Sequence, residues 1–124
     1  MVNLVLSHLG AAFTAFGGIA HLFPTRSVVM GFGTISIDNQ RIITMEWIVE
    51  GVSLVFMGAL VAMVTVMDLT NSAAKAVYML STIGLLALAL VSLFTGFKIS
   101  FLPFRLCPFI FTVSAILIVV GGLL

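Results

Sequence analysis

The sequence predicts an all-α integral membrane protein, a four-transmembrane-helix bundle, from three observations. Of its 124 residues, 62% are hydrophobic and 7% charged, with a mean hydropathy of +1.36, against about 25% charged residues in soluble domains. The apolar residues fall into four runs, each near the roughly 20 residues an α-helix needs to cross a bilayer. Brief polar or proline-containing stretches separate the runs, and together they use up the length, so residues 1–124 are expected to form one domain.

The first span is expected from about Leu4 to Phe23, ending at Pro24, which cannot continue a helix. Gly10, Thr14 and Gly18 recur every four residues, as do Ser7, Ala11 and Ala15; small residues at that spacing let a second helix approach closely. No Lys or Arg precedes this run and no small-residue cleavage site follows it, so the span is expected to be retained. Residues 24–41 form the longest connection, and Val28, Val29, Met30, Phe32, Ile35 and Ile37 make it unusually apolar. Gly31-Phe32-Gly33 reads as a turn, and Thr34 to Asp38 alternates with the period of a strand. That pattern suggests a short hairpin or re-entrant flap at the interface, a lid over the mouth of the bundle.

The second span is expected over about Ile42–Met67, with Asp38 or Asn39 as N-cap. It ends in the polar run Asp68 to Ser72, where Asp68 and Lys75 would form the rim of a solvated turn. The third span, about Ala73–Phe97, opens with Lys75 and Tyr78, placed as interface anchors. The fourth, about Leu106–Leu124, follows the connection Lys98–Arg105 and has Pro108 near its first turn, a tolerated position. Four spans put Arg26, Arg41, Lys98 and Arg105 at one end and Lys75 at the other. The positive-inside rule then places the basic connections in the cytoplasm and both termini outside, in a plasma or inner membrane.

The chemistry-bearing residues gather at the basic end. Glu46 and Glu50, one turn apart, share a helix face. Glu50 lies roughly 12 Å beyond Ile42, too deep to snorkel easily, whereas Glu46 can reach the interface. Intramembrane carboxylates usually face a bundle interior and often mark function. With His21 they form the candidate proton-transfer groups; Trp47, Phe104, Arg105 and Arg41 are the candidate ligand contacts. Arg105 would neutralise a carboxylate or orient a polar head. Trp47 is either an interfacial anchor or a face for an apolar body. The same charges could instead pair with one another and simply fix the bundle. A metal site is not expected, because Glu-x-x-x-Glu is weak evidence and no second histidine lies at that end; His8 belongs to the other. The lone Cys107 excludes an intramolecular disulfide and reads as a packing residue, and five cations against four anions leave no nucleic-acid footprint.

Gly17-Gly18-Ile19-Ala20-His21-Leu22-Phe23-Pro24, closing the first of four short spans, resembles the DoxX and DoxX-like small membrane proteins. The resemblance implies a four-helix membrane protein, in some cases an accessory of redox systems, and assigns no role to Glu46 or Glu50. A looser chemical analogy is to sterol isomerases of the emopamil-binding type, where carboxylates, a tryptophan and a histidine surround an apolar substrate. The expected function is binding of a lipid-like, quinone-like or other amphipathic small molecule in a polar pocket near the cytoplasmic side. The alternatives are a proton-coupled transporter acting as a homodimer and an accessory subunit with a partner in a membrane redox complex. Whether a cofactor is used, and whether the protein is an enzyme, are left open.

Overall fold

The computed structural model describes residues 1–67 and 71–124. Among the described residues there are five α-helices, α1 (Val2–Leu22), α2 (Thr25–Met30), α3 (Ile37–Met67), α4 (Ser72–Phe94) and α5 (Leu102–Gly122), with a 3-10 turn at Gly96–Lys98. All but α2 are long and apolar enough to cross a membrane. They pack as a four-helix bundle in which α1 contacts α3 and α5, and α4 packs on α5. The α3–α4 seam is the sparsest of the four.

The small-residue stripe of α1 is its buried face: Ser7, Gly10, Ala11, Thr14 and Gly18 all turn inward. The approach to α3 is so close that a Cβ at Gly18 would lie 2.7 Å from the Gly51 carbonyl oxygen. On the facing helix, a Cβ at Gly58 would lie 2.6 Å from both the Ala11 carbonyl oxygen and the Ala15 nitrogen. A Cβ at Gly10 would meet the Ile118 side chain of α5 at 2.7 Å and its nitrogen at 3.1 Å. These backbone contacts supply the dispersion energy that joins helices when both phases outside are equally apolar. Large side chains such as Phe16, Phe56 and Phe94 point outward, giving the bundle an apolar exterior.

Several expectations are corrected. The 24–41 connection contains no strand among the described residues; Thr25–Met30 is a helix, and a turn at Gly33, with φ at +71°, leads into α3. The alternation at 34–38 instead reflects a helix start: the Ser36 side chain accepts from the Asn39 N–H at 3.2 Å. Ser36, not Asp38 or Asn39, caps α3, which begins five residues before Ile42. Its 31 residues span about 46 Å, longer than the roughly 30 Å of a bilayer's hydrocarbon layer. Tyr78 is not an interface anchor but fully buried. Thr65 gives its only hydroxyl proton to the Val61 carbonyl at 2.7 Å, so the Tyr78 hydroxyl donates to Thr65 Oγ1 at 2.8 Å. Because α5 begins at Leu102, Pro108 sits inside it and leaves the Phe104 carbonyl without a helical donor. Asn71 caps α4 by accepting from the Ala73 N–H at 2.7 Å; Asp68 lies outside the described residues.

Candidate functional site

The site is built where the last turn of α1 meets the third and fourth turns of α3. His21 is held there from two directions. The Trp47 indole stacks on its imidazole at 3.9 Å between ring centroids and 16° between planes. The same indole donates its N–H to the His21 carbonyl at 2.7 Å. Phe104 of α5 closes edge-on against Trp47 at 5.3 Å, and Phe101 tilts against Phe104 at 5.7 Å. The imidazole is thereby fixed by packing on its face and by a hydrogen bond at its own backbone.

The edge of that imidazole carries the polar function. The His21 side chain is 10% exposed and its Nε2 lies 3.6 Å from Glu50 Oε2, beyond ordinary hydrogen-bond length. Nε2 has no hydrogen-bond partner. A buried polar nitrogen left in this way costs about 1–3 kcal/mol. A hydroxyl that met both atoms from beside the 3.6 Å gap, not within it, would relieve that cost, accepting from an Nε2–H and donating to the carboxylate.

Two cavities meet at Glu50. The inner one, about 270 Å³, is lined by His21, Glu50, Leu88, Ser92, Phe104 and Cys107 among others. The outer one, about 490 Å³, lies along the sparse α3–α4 seam between Ile42 and Met57, and Glu46, Trp47 and Glu50 contribute to it. Glu50 and Leu88 line both. A third depression, about 450 Å³, separates Ser27, Val28 and Phe32 of the first connection from Ile99, Phe101 and Phe104. The first connection therefore lies beside the site's end of the bundle, packed on α3 through α2.

The structure thus brings together His21, Glu50, Trp47 and Phe104 and separates the other candidates. His21, rather than Glu50, is the more deeply buried member of the pair, since 39% of the Glu50 side chain is exposed. Glu46 is exposed at the rim of the outer cavity. Arg105 does not reach either carboxylate; with α5 starting early it sits in the first turn and donates from Nε to the Ile99 carbonyl at 3.0 Å. Arg41 lies beside Asp38 at 3.8 Å, with both side chains largely exposed. Among the described residues no three His, Cys, Asp and Glu side chains converge as a metal-ligand set. Sequence reasoning missed Ser92 and Thr95, which line the inner cavity. Their spacing of three on one face, near the end of the third span, is the signal that places them level with Glu50. Cys107 also lines that cavity, its thiol directed to the Pro103 carbonyl at 3.4 Å.

No family model, curated protein or solved structure matches this chain.

Proposed function

We propose that this is an integral membrane protein that binds a lipid-like or quinone-like amphipathic molecule, its polar head against His21 and Glu50. One observation carries the reading: a nine-tenths-buried imidazole with an unpartnered Nε2 faces a carboxylate across 3.6 Å at the wall of a largely apolar cavity. Such a site suits a head that both accepts and donates a hydrogen bond. The apolar body lies in the outer cavity and leaves between α3 and α4, where the helices touch least. Access is therefore from the bilayer, not from water. Trp47 and Phe104 form the aromatic wall.

The cations Arg26, Arg41, Lys98 and Arg105 flank this end, and by the positive-inside rule they support a site toward the cytoplasmic leaflet with both termini outside. The residues suited to proton exchange with a bound head are Glu50 and His21. Proton-coupled transport is the second reading, favoured by the position of Glu50 at the junction of two cavities; it requires that Glu50→Gln abolish gradient-driven flux.

The test is native mass spectrometry of the detergent-purified protein, wild type beside Glu50→Gln, with solvent extraction of what co-purifies. The wild type is expected to retain a small molecule that the folded variant loses. A variant that instead unfolds or sheds a protein partner, with no small molecule on either form, would make the carboxylate structural.

A further inference from the structure

A fourth depression at the same end has a different chemistry. It lies between α2 and the first turns of α3, measures about 800 Å³, and its only charged lining residues are Arg26 and Arg41. Gln40 adds an amide at its polar edge, while Val29, Met30 and Met45 form an apolar floor. The turn at Gly33, in the left-handed region that glycine adopts without strain, brings α2 back against α3 and creates this groove. Arg41 also has Asp38 at 3.8 Å, but that pair is 78% and 87% exposed and holds the guanidinium weakly. Asp38 does not line the depression.

We infer that this groove is a binding site for the phosphate headgroup of an anionic phospholipid, with the start of an acyl chain on Val29, Met30 and Met45. Two guanidiniums offer forked donors matched to phosphate oxygens. The apolar floor suits a chain attached to that phosphate and has no use for a free ion. Arginines clustered next to a membrane span attract anionic headgroups, and Arg26 and Arg41 flank the start of α3 in this way. The inference rests on the membrane reading above but not on the His21–Glu50 pocket.

The experiment is native mass spectrometry of the full chain in detergent, offered dioleoyl phosphatidylglycerol and dioleoyl phosphatidylcholine in equal amounts. At about fivefold per arginine near a membrane surface, the wild type should prefer the anionic lipid roughly thirtyfold. Arg26→Gln with Arg41→Gln should bring the ratio near one, and lysine at both positions should restore part of it. Both side chains are exposed, so the variants should fold, which circular dichroism would verify. Lys98→Gln with Arg105→Gln, equal in charge but outside the groove, should leave the preference intact. Equal binding of both lipids by the wild type would overturn the inference. So would an equal loss in the Lys98/Arg105 variant, or displacement of the lipid by excess inorganic phosphate.

Discussion

At the scale of single residues, Trp47 has two tasks, and a substitution separates them. Trp47→Phe keeps an aromatic face for His21 but removes the 2.7 Å bond to its carbonyl. The expected cost is about 1 kcal/mol of stability, read as a lower unfolding midpoint in mixed micelles, together with weaker ligand retention because the imidazole is less firmly held. Tyr78→Phe is the matching control. It removes a buried hydroxyl bond to Thr65 at the opposite end of the bundle, where intramembrane hydrogen bonds average about 0.6 kcal/mol. Ligand retention should not change. If both variants reduced ligand binding equally, the effect would be general loosening and not the positioning of His21.

At the scale of helices, the tight and loose seams differ in tolerance for added volume. A methyl at Gly58 would meet backbone atoms of α1 at 2.6 Å, and backbone cannot step aside without separating the helices. Gly58→Ala should therefore destabilise the bundle by about 2–3 kcal/mol, as overpacking does. Gly84, on the α3–α4 seam, faces only the mobile end of Met57 at 3.3 Å. Gly84→Ala should be neutral or stabilise by up to about 1 kcal/mol through helix propensity. Unfolding of both variants in sodium dodecyl sulfate titrations tests the contrast, and equal costs would contradict the assignment of a sparse seam. The close α1 face was legible in the sequence because Gly10, Thr14 and Gly18 carry both their size and their spacing. The start of α3 was not. Ser36 and Asn39 act through a local cap that an alternating pattern of apolar residues conceals. Tyr78 likewise stood next to Lys75 like an anchor, and only the position of Thr65 on another helix explains its burial.

At the scale of the whole molecule, four apolar helices and their shared end followed from hydropathy and chain order alone. The depth that joins His21 to Glu50 followed too, since span ends fix which residues share a level. What did not follow was lateral placement: Arg105 shares that level but is held by the Ile99 carbonyl, and no sequence pattern says which way a first-turn arginine turns. Orientation can be tested directly. In a Cys107→Ser background, Asn3→Cys should react with a membrane-impermeant maleimide on intact cells, and Ser100→Cys only after permeabilisation. The reverse pattern would place the basic end outside.

The central claim is that a small molecule sits against His21, Trp47 and Glu50, and the chain's single tryptophan is in the right place to report it. The decisive measurement is Trp47 emission while the molecule extracted from wild type is returned to stripped protein. A saturable change at one molecule per chain, absent in folded Glu50→Gln, is the expected result. An emission that stays constant while the molecule binds, or a change that is the same in both proteins, would contradict the account.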